Sequence, residues 1–138
     1  MTYLPYCTMD DNLKSRFLAL YCMVLADGVI DIKELETLYR IGREHYNVSA
    51  DEINQAIRES GTSFIMPENL ESKIRLLYNL TEIALADGVL DVTEKNLLKR
   101  YAKRMDFLDE NIDDFVDWMV EKVKGKEPIE QVFKEITE

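Results

Sequence analysis

Six acidic residues stand out by type and spacing. Asp27, Asp31 and Glu34 return sixty positions later as Asp87, Asp91 and Glu94, inside the segments LADGVIDIKELE (25–36) and LADGVLDVTEKN (85–96). Carboxylates this close in sequence could hold a hard divalent cation. Asp-Gly with Glu six positions beyond the glycine is also the second half of an EF-hand loop. The first half is missing both times. Met23 and Ile83 stand at the first ligand position, Leu25 and Leu85 at the third. A hard cation needs about six to eight oxygens, and two hydrocarbon side chains per loop supply none.

Backbone geometry explains the same letters without a metal. Gly28 and Gly88 can adopt the left-handed conformation that ends a helix. Asp31 and Asp91 stand where an N-cap belongs, and Glu34 and Glu94 three residues later complete a capping box at the start of the next helix. Val29 and Val89, two before the caps, can turn back into the core. Asp27 and Asp87 are not absorbed by capping. They either bond backbone amides of the corner or join Asp31, Glu34, Asp91 and Glu94 around a Ca²⁺-like ion. The capping role is the preferred reading, and no cofactor beyond that cation is expected.

The elements that must position these residues read as helices. Leu13, Phe17, Leu20 and Val24 set a helical stripe over about 10–26, and Leu35, Leu38, Tyr39 and Gly42 another over about 31–46. Ser49 with Glu52 opens a third helix by a capping box. Pro67 suits the first turn of a fourth, which carries Leu70, Ile74, Leu77, Thr81 and Ala84. A fifth follows from Asp91 to about Met105 and a sixth from Asp109 to about Lys124, ended by Gly125. Pro128 opens a short last one. No strand alternation appears. The expectation is an all-α compact bundle of about seven helices in one domain, 1–138. It would be built from two internal helical repeats, about 10–60 and 67–124, with a C-terminal helix over 128–137, packed about a pseudo-two-fold axis.

Composition excludes several functions. The formal net charge is −10, with 27 Asp+Glu against 17 Lys+Arg, so polyanions such as nucleic acid and an anionic membrane face are repelled. Lys95, Lys99, Arg100, Lys103 and Arg104 form the one local basic cluster, read as a solvated helix face. Cys7 and Cys22 have no motif spacing. The start lacks a basic region followed by an apolar run, and nothing is long and apolar enough to span a bilayer. A cytoplasmic, reducing location without membrane insertion is the default. His45 is the sole histidine, which removes most triads and histidine-rich zinc sites. No serine lies in a nucleophile elbow and no glycine-rich phosphate loop exists. An enzyme is therefore not expected.

A second acidic feature lies on the sixth helix. Asp109, Asp113, Asp114 and Asp117 belong to a run without an intervening base, several of them three or four apart and so on one face. Such a stripe is first a solubility device. Its functional reading is a docking surface for a protein partner.

The twice-written Ala-Asp-Gly-x-aliphatic-Asp-x-x-Glu, at Ala26, Asp27, Gly28, Asp31 and Glu34 and at Ala86, Asp87, Gly88, Asp91 and Glu94, resembles the tellurite-resistance TerB-like family. It is also similar to the N-terminal domain of a membrane-anchored J-domain co-chaperone. The resemblance spans about Phe17 to Val123. It implies a seven-helix bundle of two repeats with acidic residues gathered at the corners, and an association with tellurite resistance, stress response and membrane-linked or metal-responsive assemblies. The chain has no His-Pro-Asp triplet and no transmembrane helix, so co-chaperone activity does not carry over. The resulting expectation is a non-enzymatic interaction module, docking a partner through its acidic surface or the groove between repeats. The alternative is a metal-responsive protein holding a divalent cation at the paired corners.

Overall fold

Local capping chemistry sets where each helix begins. In the computed structural model, which describes residues 9–26, 28–59, 64–107 and 109–137, seven α-helices follow one another. They are α1 (Asp11–Val24), α2 (Ile32–Tyr46), α3 (Ala50–Glu59), α4 (Leu70–Ala84), α5 (Val92–Arg104), α6 (Ile112–Lys124) and α7 (Ile129–Thr137), with a 3₁₀ turn (Asp109–Asn111) leading into α6. No strand occurs among the described residues.

Asp10 caps α1 through the Leu13 amide at 2.8 Å. Ser49 and Glu52 form the expected reciprocal bonds at the start of α3, 3.1 and 2.8 Å. The start of α4 differs from expectation. Asn69 supplies the cap, its side chain accepting from the Ser72 amide at 2.9 Å, so the first turn begins beyond Pro67. An Asn side chain satisfies an orphan amide that a proline ring cannot. Pro67 lies outside the helix in a segment tied to α1, where the Ile65 amide donates to buried Ser15 Oγ at 2.8 Å. At the end of α6 the left-handed residue is Lys126 (φ 56°), one beyond Gly125 (φ −76°). The Glu127 amide returns to the Lys122 carbonyl at 3.1 Å, closing a Schellman turn.

Packing centres on α4, which meets α1, α2, α5, α6 and α7, while α1 also packs on α3 and α5 on α6. One continuous core results, with Phe17, Leu20, Met23, Leu38, Ile41, Ile53, Ile74, Leu77, Leu80, Ile83 and Leu98 fully buried. Met23 and Ile83 are among them, so the two positions where an EF-hand has its first ligand face the core. Gly42 allows α2 and α3 to close up: a Cβ there would stand 2.4 Å from Ile53 Cδ1. Phe107, Phe115 and Trp118 stack along the edge of α6 with Lys122 over the indole.

Candidate functional site

The two Asp-Gly corners share one local build. Each preceding helix ends at a leucine cap, Leu25 or Leu85. Each glycine amide then bonds that leucine carbonyl at 2.9 Å, and each glycine is left-handed, φ 85° at Gly28 and 88° at Gly88. In the second corner Asp87 Oδ1 accepts from the Val89 amide at 2.9 Å, an Asx-type turn that accounts for an acid at an otherwise unfavourable helix end. Asp27 lies outside the described residues. Asp31 and Asp91 then cap α2 and α5.

The two caps differ in one bond. At Asp91 the capping box is complete: its side chain accepts from the Glu94 amide at 2.8 Å, and Glu94 Oε1 accepts from the Asp91 amide at 3.3 Å. At Asp31 only half of the expected box forms. Asp31 Oδ1 accepts from the amides of Lys33 and Glu34, 2.8 and 3.2 Å, but the Glu34 side chain does not turn back. It reaches across to Glu94 and hydrogen-bonds it.

Each glutamate is only 2% exposed. Burial, the bond to Glu94 and the negative charges of Glu94, Asp87 and Asp31 push the Glu34 carboxyl up to about 9. Burial also raises Glu94, opposed by the bond from Glu34 and by the Asp91 amide. Two carboxyls so placed share one proton, Glu34 O–H donating to the Glu94 carboxylate, because both cannot ionise in a dry contact. The spacing in sequence showed each glutamate as a cap. Nothing in it showed that the two would touch.

This contact joins the first turn of α2 to the first turn of α5 through side chains. Two residues span at most about 7 Å of chain, so Ile32 and Val92 lie close to their glutamates. Both are exposed, 65% and 74%. Val29 and Val89 do not enter the core as expected; they are 67% and 65% exposed. In the second corner Leu90 packs against the core in place of Val89, whose amide is held by Asp87. Of nine large apolar side chains exposed among the described residues, six fall in 25–32 and 85–92: Leu25, Val29, Ile30, Ile32, Val89 and Val92. Scattered exposed apolar residues are ordinary, whereas a cluster of them marks a contact surface.

The sequence-derived cation candidates are thus only partly assembled. Glu34 and Glu94 meet, with Asp31, Asp87 and Asp91 close enough to act on them electrostatically. Among the described residues no three His, Cys, Asp or Glu side chains form a group able to hold a metal ion.

The acidic stripe on α6 also has a context that one helix could not reveal. Asp113 pairs with Lys99 at 2.9 Å and Asp117 with Lys95 at 2.6 Å. The basic cluster of α5 and the stripe of α6 therefore answer one another. Asp114 is exposed, and Asp109 begins the 3₁₀ turn. Between α2, α4 and the second corner lies an open cleft of about 660 Å³, lined by Thr37, Arg40, Tyr78, Glu82 and Gly88 among others. Arg40 lies 3.7 Å from Glu82 and 3.3 Å from Glu44, and Lys124 and Lys126 also line the cleft. No helix of the described residues is long and apolar enough to cross a membrane. No protein-family model matches the chain, and neither a curated protein nor a solved structure matches it.

Proposed function

We propose that the chain is a non-enzymatic interaction module whose docking face is the end of the bundle where the two Asp-Gly corners meet. One observation carries this reading: six of the nine exposed large apolar side chains gather in two eight-residue segments, whose helices touch through Glu34 and Glu94. Leaving those side chains in water costs free energy that a partner would recover on binding. The α6 stripe is the weaker surface, since Lys99 and Lys95 already neutralise Asp113 and Asp117. The resemblance of both corners to the TerB-like family supports a stress-associated module without catalysis. Cysteines without motif spacing fit a reducing, cytoplasmic setting.

Val89→Ser with Val92→Ser tests the reading, because both side chains are largely exposed and their loss leaves the core intact. In pull-downs compared with wild type, the double variant should lose the partner, while Asp113→Lys with Asp117→Lys should retain it. Undiminished recovery by the Val89/Val92 variant would remove the corner face from consideration.

A second reading rests on the acid contact itself. A hard divalent cation could replace the proton that Glu34 and Glu94 share, with Asp31, Asp87 and Asp91 nearby and Asp27 contributing by position in the chain. Melting midpoints with and without millimolar Ca²⁺ test it.

A further inference from the structure

We infer that the cavity between α4 and α7 takes a small primary aliphatic amine, its ammonium group held by Asn79 and Glu82 and its hydrocarbon chain lodged beside Phe133. The site is separate from the corners and does not rest on the docking reading. Arg75, Tyr78, Asn79 and Glu82 stand at i, i+3, i+4 and i+7 of α4, so they share one face over about 10 Å of helix. α7 packs on α4 and brings Pro128, Ile129 and Glu130 to that face. With His45 at the mouth, these residues line a space of about 210 Å³. A smaller chamber of about 100 Å³ shares Arg75, Ile129 and Glu130 with it and adds the apolar walls of Ile74 and Phe133.

One buried group here needs a donor. Asn79 is 3% exposed. Its Nδ2 donates to Glu82 Oε1 at 2.9 Å, while its Oδ1 is buried with no hydrogen-bond partner. An orphaned buried carbonyl is destabilising and calls for a cause. Oδ1 is shielded as it stands, but the terminal torsion of an asparagine is broad, so a small turn presents it to the cavity. A single water, which takes about 30 Å³ of liquid volume, would satisfy the carbonyl and leave most of this space unfilled.

Charge decides which donor fits. Three carboxylates line the two chambers, Glu71, Glu82 and Glu130, against one cation, Arg75. Arg75 pairs with Glu71 at 3.8 Å, and Arg40 reaches Glu82 from the adjoining cleft at 3.7 Å. Glu130 has no basic partner among the described residues, and it offsets the positive N-terminus of α7 from the first turn. Lys124 and Lys126 line the adjoining cleft, which shares Tyr78 and Glu82, and not this cavity. The balance is one negative charge, which one ammonium group completes. The Tyr78 phenol reports the same field: burial and the charges of Glu82, Glu130 and Glu127 raise it, opposed by Arg40. Its O–H donates to the Glu127 carbonyl at 2.6 Å, which leaves the phenol oxygen free to accept from the same ammonium. Ile74 and Phe133 then favour a hydrocarbon chain over a second polar group.

The ¹⁵N-labelled full chain is titrated with pentylamine as the probe. Four controls accompany it: methylamine without the chain, pentanol without the charge, pentanoate with the opposite charge, and Nα-acetyl-lysinamide, which carries the same butylammonium on a peptide backbone. The expected result is amide shifts centred on 75–82 and 128–133, with pentylamine bound at least tenfold more tightly than any control. Asn79→Leu keeps the shape of the side chain and removes the carbonyl; it should lower pentylamine affinity at least tenfold. Glu82→Gln should do the same, and it decides the matter alone if Asn79→Leu does not fold. No shifts at millimolar pentylamine, shifts centred elsewhere, equal affinity for any control, or wild-type affinity in either folded variant would each overturn the assignment. Neither Val89 nor Val92 lines the cavity, so the result leaves the docking reading to its own test.

Discussion

Replacing Glu34 by glutamine should make the fold more stable at neutral and alkaline pH, although it replaces a buried carboxyl that bonds to Glu94. The Glu34 carboxyl sits at about 9 in the folded chain, against roughly 4.3 when unfolded. Between these values the folded state holds a proton that the unfolded state has released. Stability therefore falls as pH rises through this window, by at most about 1.4 kcal/mol per pH unit for one proton. At pH 7 the accumulated penalty is at most about 4 kcal/mol. Glutamine supplies the donor to Glu94 with no proton to take up. Its N–H is a weaker donor than a carboxylic acid, so the net gain at pH 7 should be nearer 2 kcal/mol. Urea unfolding followed by circular dichroism at pH 5.5, 7 and 8.5 reads this directly. Wild type should lose stability across the series and Glu34→Gln should lose less, keeping only the slope that buried Glu94 contributes. Parallel slopes in the two proteins, or destabilisation by glutamine at every pH, would refute the shared-proton reasoning. The carboxylates held low by lysines, Asp113 by Lys99 and Glu135 by Lys122, do not blur the result. Their contribution is lost only as pH falls below the ordinary carboxylate range.

Further outcomes follow from the same geometry. Gly28→Ala and Gly88→Ala should each lower stability by about 1–2 kcal/mol through left-handed backbone alone, since a Cβ meets nothing within 4 Å at either site; thermal melts measure both. Gly42→Ala should cost about 1–3 kcal/mol for a different reason, overpacking against Ile53. Its effect should shrink when Ile53→Val is added, which a double-mutant cycle resolves. Breaking the α5–α6 bridge by Asp117→Asn should change stability by less than about 1 kcal/mol, because the pair is exposed. Millimolar Ca²⁺, Mg²⁺ or Mn²⁺ should leave the melting midpoint where chelator leaves it. A rise abolished by Asp27→Asn with Asp87→Asn would move the site to the cation reading.

Much of this architecture was legible in local chemistry. Apolar spacing at Leu13, Phe17 and Leu20 and caps at Asp31, Ser49 and Asp91 act within a few residues, so a sequence carries them openly. Pro67 misled because the helix starts only after the Asn69 cap, two residues further on. Val29 and Val89 misled because their valine side chains look like core, while the turn geometry that directs them outward is a property of the backbone. What the sequence could not carry was anything requiring two segments at once. Glu34 reads as the reciprocal partner of Asp31 until Glu94, sixty residues away, offers a better bond. The α6 stripe reads as uncompensated until Lys95 and Lys99 of α5 lie opposite. The spacing of the corner acids is open in the sequence. Their pairing, and the apolar ring it assembles, belongs to the fold.

The central claim is that the two corners meet through their glutamates and so make one surface. A ¹³C titration of the glutamate carboxyls in the intact chain tests it most directly. Glu34 should respond at a midpoint well above the ordinary carboxylate range, with Glu94 reporting the same step through the shared bond. Two independent midpoints between about 4 and 5 would mean that the glutamates do not touch, and the face assembled around them would not exist.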